Sequence, residues 1–530
     1  MAANILLRML LCCVLLLVSG VSRARDATAV ESLLRADYSS VIIDGVRNQL
    51  RKHLDSGTLS PEKIRRIVHH PELEQLCHIG QFFRYASQEK AFSTRELRDR
   101  TFTRWLVSHP EVFRKLAHAG YAQQSSLAIL YRLWNSADRD LCGVDLNIAL
   151  GACLIADVFT AEECIARYGF YHDSHHHGRC YPQADSLEPW EWAVVLRGKE
   201  SLEDLAWAQQ FIEGKNIKPE QAGGKFTGFI PYRKKNDKGV SVHAGSAFYD
   251  HKPITLKLYT EYGGVCGAVS KGAAGFLRSK GVPAYPIGQP GHCAFVWKHP
   301  NGHWQIGNNL GGWNWASGGA QIPWQGPVQL VTAYDSFIHH PHAEESALTY
   351  YLSFCTQKQE HVELLLREAR QFNPFNYPAW QRYLDIKAKN ASAQSPIRFT
   401  LRWNIPIPSG MNRSGSAPSL FPNGVVFFFS ALILSHLIKV VPPPRRRAIH
   451  GSLPRKIRGR SIACNPTRLF SRYACGYMNG ASDPLRKPSR AGTGRRTGAT
   501  EWSRYPGTHD AAGRPNARTL PSRDPCNTGV

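Results

Sequence analysis

A long region near the start of the chain carries apolar side chains three and four positions apart. The clearest run consists of Val41, Ile42, Val46, Leu50 and Leu54. This spacing places apolar side chains on one face of an α-helix. Ser60 followed by Pro61 is a helix start signal, with a capping serine and proline in the first turn. We therefore predict a helical N-terminal domain over residues 25–155, and it carries no visible catalytic motif.

The pattern changes after residue 155. Residues 190–196 are apolar except for Glu191, and we interpret them as a strand, whereas residues 202–211 predict a short helix. Glycines and aromatic residues separate these segments. Residues 156–255 are therefore predicted to form a mixed α/β region.

Residues 256–335 combine a predicted helix with predicted strands. Small and helix-forming residues run from 267 to 280 and stop before Pro283. From residue 292 the side chains alternate as in a core strand, with Phe295 and Trp297 on one face. We expect this segment to be the catalytic core.

The C-terminal part of the folded region is again predicted to be helical, over residues 336–390. Residues 373–380 resemble the joint between two tetratricopeptide-type repeats. A single joint favours a helical hairpin packed on the core, because repeat arrays need several stacked repeats. The alternative is a peptide-binding array.

Composition is that of a globular protein, but the charge is unevenly distributed. The chain has 530 residues and a formal net charge of +24. Residues 441–530 hold 16 Arg and 2 Lys against 4 acids, so this stretch contributes +14. Residues 391–530 are a basic, low-complexity tail that we expect to be disordered. The alternative is a basic arm for an acidic polymer, a membrane surface or nucleic acid, although no nucleic-acid-binding motif accompanies it.

The first 24 residues have the pattern of a secretory signal peptide. Arg8 precedes an apolar run over residues 9–18, and the small residues Ser22 and Ala24 follow. We therefore expect a secreted or cell-envelope protein, and the alternative is an uncleaved anchor.

A second apolar run begins at Val425 and ends at Ile438, and basic residues follow it. It is short for a membrane span. One interpretation is that this run, or the basic tail, associates with a membrane. The alternative is that the run is a non-native segment or a strand buried in the fold.

The clearest candidate for a catalytic site is a cysteine followed 26 residues later by a histidine. Cys266 follows the glycine pair Gly263 and Gly264 and stands at the start of the predicted helix, and His292 opens a predicted strand. A helix N-terminus favours the thiolate form of a cysteine, and its free backbone N–H groups can hold an oxyanion. A nucleophile at a helix start with a base on a neighbouring strand suits cysteine-dependent acyl transfer.

A third residue is needed to orient the imidazole. After a turn at residues 300–302, the next predicted strand runs to Asn308. Its side chain can accept a hydrogen bond from the ring of His292 and fix the tautomer. Asn309 is the alternative, one position further on.

This order of residues resembles the transglutaminase-like superfamily, which is related to papain-type cysteine proteases. The resemblance covers residues 255–320 and rests on Cys266, His292 and a Trp304 four residues before Asn308. The family usually has aspartate at the third position, so Asn308 is similar to the papain variant. The strand that begins at His292 has one extra residue before its aromatic residue.

The resemblance implies an α+β fold with a transglutaminase- or papain-like core. In that core the cysteine begins a helix that packs on antiparallel strands. A helical N-terminal domain and a helical C-terminal hairpin would surround it. The expected substrate is a protein or peptide, and the chemistry implied needs no metal or organic cofactor.

Several polar and aromatic residues flank the pair. Gln289 and Tyr262 are candidate donors to an oxyanion, and the alternative for both is a structural role in turns. Trp313, Trp315 and Trp324 are candidates for the wall of a substrate groove, although clustered tryptophans usually belong to a core.

Two other features contain a possible nucleophile or possible metal ligands, but neither has the sequence pattern of a known site. Cys293 lies beside His292, and strand alternation points its side chain away from the base, so we expect it to pack in the core. A further cluster consists of His172, Asp173, His175, His176, His177 and Cys180. Its spacing fits no familiar metal site, and we interpret it as a solvated loop without a metal.

The sequence therefore predicts an exported enzyme that transfers acyl groups through a thioester on Cys266. Water as acceptor would make it a peptidase or amidase, and a lysine amine would make it a crosslinker. The rival hypothesis is a non-catalytic transglutaminase-like binding protein of the cell envelope.

Overall fold

The structure is a computed structural model that describes residues 30–87, 92–120, 122–137 and 139–394. The predicted signal peptide, the apolar run after Val425 and the basic tail from residue 395 lie outside the described residues. In the first half of the described chain the helices are α1 (Ser39–Asp55), α2 (Pro61–Val68), α3 (Pro71–Ala86), α4 (Arg100–Ser108), α5 (Pro110–Ala119), α6 (Ser126–Ser136), α7 (Gly143–Cys153), α8 (Ala161–His176) and α9 (Pro189–Leu196).

The second half adds further helices and a small sheet. The helices are α10 (Leu202–Ile212), α11 (Ala222–Thr227), α12 (Leu256–Tyr262), α13 (Cys266–Ser279), α14 (Leu330–Ile338), α15 (Ala343–Leu352), α16 (Gln359–Phe372) and α17 (Tyr377–Gln394). The strands are β1 (Ala284–Gln289), β2 (His292–Lys298) and β3 (Trp304–Gly307). The fold is thus α+β and mostly helical, which agrees with the predicted α+β class.

The N-terminal helices follow the apolar periodicity closely. Ile42, Val46, Leu50 and Leu54 of α1 are buried, whereas Val41 is 54% exposed. Ser60 caps α2, since its hydroxyl oxygen accepts a 3.2 Å hydrogen bond from the backbone N–H of Lys63. These local signals were sufficient to place both helices.

The prediction of a strand over residues 190–196 is wrong, because this segment is helix α9. Pro189 stands in its first turn, and Glu188 and Glu191 form a reciprocal capping box. Every residue of α9 is buried. A helix buried on all sides has no polar face, so its sequence has no helical periodicity and can be mistaken for a core strand.

The three strands form one antiparallel sheet, in the order β1-β2-β3, within the described residues. In β2, Ala294 and Val296 pack into the core that contains the N-terminal helices. Phe295 and Trp297 point to the other face and share a core with α13. The sheet therefore separates two cores, and α13 covers the face that carries the odd-numbered residues of β2.

The predicted C-terminal helical segment is present as α15, α16 and α17. Leu365 of α16 belongs to the core that contains the N-terminal helices, whereas Leu366 belongs to a smaller cluster with Val362, Ala369 and Ala379. No helix among the described residues combines the length and apolar character needed to cross a bilayer.

Candidate active site

Cys266 is the first residue of α13, as predicted. Its side chain is half-buried and is not in a disulfide. No side chain caps this helix start. In the hydrogen bonds of the described chain, the backbone N–H groups of Cys266 and Gly267 have no acceptor. The thiol therefore lies beside unpaired backbone donors at the positive end of a helix.

A tight turn before Cys266 sets the position of the thiol. Gly263 has φ +71°, and a Cβ atom there would lie 2.2 Å from the backbone oxygen of Pro231. The backbone N–H of Gly264 donates to that same oxygen at 3.0 Å, and the N–H of Arg233 donates to the oxygen of Gly264 at 2.9 Å. Only glycine fits at position 263, since both the dihedral angle and the close approach exclude a side chain.

The first turns of α13 are fixed against the ends of β2 and β3 through Ser270. Its hydroxyl donates a 2.7 Å hydrogen bond to the backbone oxygen of Cys293. The side-chain amide of Asn308 donates to Ser270 Oγ at 2.9 Å and to the backbone oxygen of Cys293 at 3.0 Å. Ser270 lies one helical turn after Cys266, so this network holds the helix start beside the strand that begins with His292.

His292 is the first residue of β2, as predicted. Its ring Nε2 lies 2.7 Å from the backbone oxygen of Asn308. A carbonyl oxygen only accepts hydrogen bonds, so Nε2 carries the proton and the lone pair of the neutral ring is on Nδ1. The imidazole is therefore oriented with Nδ1 available as a base.

The predicted orienting role of the Asn308 side chain is wrong, because the backbone of Asn308 contacts the ring. Asn308 has φ +48°, a left-handed conformation that asparagine tolerates better than most residues. This conformation directs its side-chain amide to Ser270 and Cys293 and its carbonyl to His292. The alternative, Asn309, does not contact the ring either, since its side-chain oxygen accepts from Gly312 at 2.8 Å.

The thiol and the imidazole do not form a hydrogen bond in this structure. Among the hydrogen bonds of the described residues, Cys266 Sγ has no partner, and the imidazole ring of His292 contacts only the backbone oxygen of Asn308. Regular alternation along β2 places Cys293, and not His292, on the face that carries Phe295 and Trp297 and is covered by α13. Proton transfer between Cys266 and His292 would therefore require a local rearrangement of the ring or the thiol.

Gln289 is not an oxyanion donor in this arrangement. Its side-chain Nε2 donates to Asn309 Oδ1 at 2.9 Å and to the backbone oxygen of Gly312 at 3.1 Å. Its Oε1 accepts from the backbone N–H of Leu310 at 2.9 Å. Both amide protons are used, so Gln289 supports the loop that follows β3.

Tyr262 is also occupied by a structural contact. Its hydroxyl donates a 2.6 Å hydrogen bond to Asp250 Oδ2. This bond, followed by one from Lys238, lowers the pKa of the Asp250 carboxyl. The hydroxyl proton of Tyr262 is directed to this carboxylate, so Tyr262 is not available as an oxyanion donor.

The three tryptophans have different environments. Trp324 packs edge-on against Tyr334, with ring centroids 4.9 Å apart. It lies against the core that contains the N-terminal helices. Trp313 is partly buried against the same core. Trp315 is 52% exposed and remains a candidate for a groove wall.

Cys293 is not a competing nucleophile. Burial raises the pKa of its thiol, and the neighbouring Cys266 raises it further. The raised pKa favours the protonated thiol. Cys293 is half-buried and belongs to neither of the two cores beside the sheet, so the prediction that it packs in the core is not confirmed.

Two exposed apolar side chains border the site and were missed in the sequence. Tyr232, 63% exposed, forms a bridge with Gly264, next to the turn that positions Cys266. Leu310, 62% exposed, follows the loop residues that contact His292. Isolated surface residues of this kind have no sequence signal, because their exposure depends on the tertiary fold.

The histidine cluster lies on a helix and not on a loop, so that part of the prediction is wrong. His172, His175 and His176 belong to α8. His176 Nε2 lies 3.0 Å from Asp145 Oδ1, and His175 Nε2 lies 2.7 Å from Asp185 Oδ1. Burial raises the pKa of Cys180 to about 12, and that thiol is not part of the group formed by Asp145 and the two histidines.

The far end of α13 is anchored by a buried ion pair. Arg278 contacts both carboxylate oxygens of Glu200 and the backbone oxygen of Ala284. The side chain of Arg278 is almost fully buried, and that of Glu200 nearly so. This contact joins the helix to β1 and so fixes the axis on which Cys266 stands.

The site thus contains a half-buried thiol beside free backbone donors and an imidazole with its tautomer set. Such groups can perform nucleophilic attack on a carbonyl and general base catalysis, if they come together. Comparison with known proteins gives no further assignment: no family model, no curated protein and no solved structure matches the chain.

Proposed function

We propose that this protein transfers acyl groups through a thioester on Cys266. The observation that carries the proposal is the position of Cys266, a half-buried thiol at an uncapped helix N-terminus. That helix is hydrogen-bonded through Ser270 to Cys293, the residue after His292. Helix N-termini favour thiolates, and their backbone donors stabilise oxyanions.

In the proposed reaction the sulfur of Cys266 attacks the carbonyl carbon of a carboxamide or peptide bond. The thiol proton passes to Nδ1 of His292, and the oxyanion is held by the backbone N–H groups of Cys266 and Gly267. The C–N bond then breaks, and the imidazolium gives its proton to the leaving amine. Water or a primary amine next attacks the thioester, His292 takes its proton, and the C–S bond breaks to restore the thiol.

This sequence requires Nδ1 of His292 to reach the thiol of Cys266. Catalytic hydrogen bonds are often long or misaligned in unliganded enzymes and tighten when substrate binds. The contact between His292 Nε2 and the carbonyl of Asn308 can persist during such a movement, because it holds the opposite side of the ring. The backbone carbonyl then has the orienting role that a side chain has in related enzymes.

We also propose that the helix, the antiparallel strands and the order of Cys266, His292 and Asn308 represent a transglutaminase- or papain-like core. Three features support this: a helix that begins at the cysteine, a strand that begins at the histidine, and a third strand that ends just before Asn308. The substrate class is protein or peptide. Export to the cell envelope or beyond remains part of the proposal, on the pattern of the first 24 residues.

A second candidate function is a non-catalytic binding protein with the same core. The observation that favours it is the absence, among the described residues, of a hydrogen bond between Cys266 and His292. In that case the exposed Tyr232 and Leu310 would contact a peptide without chemistry.

The test incubates the full-length protein with dimethylated casein, with and without a fluorescent primary amine. Blocked lysines prevent casein from acting as its own acceptor, so the added amine competes with water alone. Incorporation of the amine indicates acyl transfer, and new peptide termini or released ammonia indicate hydrolysis. The Cys266→Ala variant is the control. If wild type and Cys266→Ala give the same background while both bind casein, the binding hypothesis replaces the enzyme.

A further inference from the structure

Three helices from distant parts of the chain bring two imidazoles and a carboxylate together, away from Cys266. His78 lies on α3, His118 on α5 and Glu344 on α15. One ligand atom from each residue lies within 4.8 Å of the others. The cluster joins two N-terminal helices to a C-terminal helix.

The spacing of these atoms suits a zinc ion. His78 Nε2 lies 3.0 Å from Glu344 Oε1, and His118 Nε2 lies 3.6 Å from the same oxygen. In a tetrahedral zinc site with bonds of about 2.0–2.2 Å, two ligand atoms are about 3.3–3.6 Å apart. The two distances to Glu344 Oε1 are therefore within a few tenths of an ångström of those between zinc ligands, and the two imidazole nitrogens lie within 4.8 Å of each other.

The surroundings favour a ligand over an ordinary surface ion pair. The side chain of His78 is 3% exposed, and imidazole nitrogens are common zinc ligands. His118 Nε2 is buried and has no hydrogen-bond partner. Glu344 Oε1 lies 3.6 Å away, slightly beyond hydrogen-bonding distance, and a metal ion between the two atoms would contact both.

The charges around the cluster also suit a dication. Glu74 lies one helical turn before His78 on α3. The carboxylate of Glu344 and the acidic residue Glu74 give this part of the fold negative charge that a single Zn²⁺ ion would offset.

We propose that His78, His118 and Glu344 bind a structural zinc ion, with a water molecule as the fourth ligand. The two imidazoles and the carboxylate form a nitrogen- and oxygen-donor set that zinc accepts. The ion would fasten α15 to α3 and α5. It is independent of the proposed reaction at Cys266.

The experiment measures metal in the full-length protein after reconstitution with zinc sulfate and removal of loose metal. We expect about one zinc per chain, and below about 0.1 in Glu344→Gln and His118→Ala. The control is His176→Ala, which removes a more exposed histidine beside Asp145, where a second histidine also lies close. Zinc content in this control should equal that of wild type.

X-ray absorption at the zinc edge of the wild-type protein provides a measurement that does not depend on a folded variant. We expect two histidine nitrogens and at least one oxygen around zinc, and a lower Tm when a chelator removes the metal. The proposal is overturned if reconstituted wild type retains no zinc. It is equally overturned if Glu344→Gln and His118→Ala, folded by circular dichroism, bind as much zinc as wild type, or if zinc is lost in His176→Ala alone.

Discussion

The ring Nε2 of His292 lies 2.7 Å from the backbone carbonyl oxygen of Asn308. A main-chain atom thus sets the tautomer of the candidate base, and the identity of the side chain at position 308 matters mainly through the backbone. Asn308 has φ +48°, and its amide contacts Ser270 and Cys293. Glycine at position 308, which keeps the positive φ, should therefore be tolerated better than alanine, which does not.

We expect Asn308→Gly to retain more activity than Asn308→Ala. Glycine adopts positive φ freely, whereas alanine in this conformation costs about 1–2 kcal/mol and would pull the carbonyl away from His292. Turnover by Asn308→Gly should fall modestly, because the contacts with Ser270 and Cys293 are lost. Steady-state kinetics of the two variants measure this. If Asn308→Gly is as inactive as Cys266→Ala, the side chain of Asn308, and not its backbone carbonyl, orients His292.

Labelling with iodoacetamide should distinguish the two neighbouring cysteines. The half-buried Cys266 lies at a helix start, whereas burial raises the pKa of Cys293. We expect Cys266 to react at least about tenfold faster near neutral pH, since the thiolate is the reactive form. The rate for Cys293 should keep rising into alkaline pH, because its raised pKa delays ionisation. Mass spectrometry of the tryptic peptides measures both rates, and preferential labelling of Cys293 would contradict the assignment.

Gly263→Ala should destabilise the protein and impair turnover. The left-handed φ costs about 1–3 kcal/mol for a non-glycine residue, and the clash with the oxygen of Pro231 adds to this. The matched control is Gly267→Ala, because a Cβ atom there meets no other atom within 4 Å. In a helix, alanine at that position should stabilise by about 0.5–1 kcal/mol. Urea denaturation gives both free energies of unfolding, and equal effects would show that the turn is less constrained.

Arg278→Met should cost about 3–5 kcal/mol in the free energy of unfolding, since it leaves the carboxylate of Glu200 buried without its partner. The comparison is Arg132→Ala, which breaks an exposed pair with Glu162 and should cost about 0–1 kcal/mol. Denaturant melts of both variants test the difference. A loss of less than about 1 kcal/mol for Arg278→Met would mean that Glu200 finds water or another donor.

Tyr232→Ala and Trp315→Ala should weaken substrate binding with little effect on the chemical step. Both side chains are exposed and border the segments that carry Cys266 and His292. Loss of about 1 kcal/mol of apolar contact raises KM about fivefold. Val158→Ala, an exposed apolar residue outside these segments, serves as control. If KM is unchanged in both variants, the substrate lies elsewhere.

The sequence by itself determined the elements around the candidate site. The glycine pair before Cys266, the helix that follows, and the strand that opens at His292 all lie where local patterns placed them. These features depend on interactions between residues close in the chain, such as turn geometry, helix periodicity and strand alternation. The buried helix α9 was the exception, because burial on every side removes periodicity.

Only the tertiary structure decided what the site residues contact. Asn308 turns its carbonyl to His292 and its amide to Ser270, Gln289 uses both amide protons on the loop after β3, and Tyr262 donates to Asp250. Likewise, His78, His118 and Glu344 are far apart in the chain and meet only because three helices pack together. A sequence pattern specifies residue types and local backbone, whereas hydrogen-bond partners depend on which surfaces the fold brings within about 3 Å of each other.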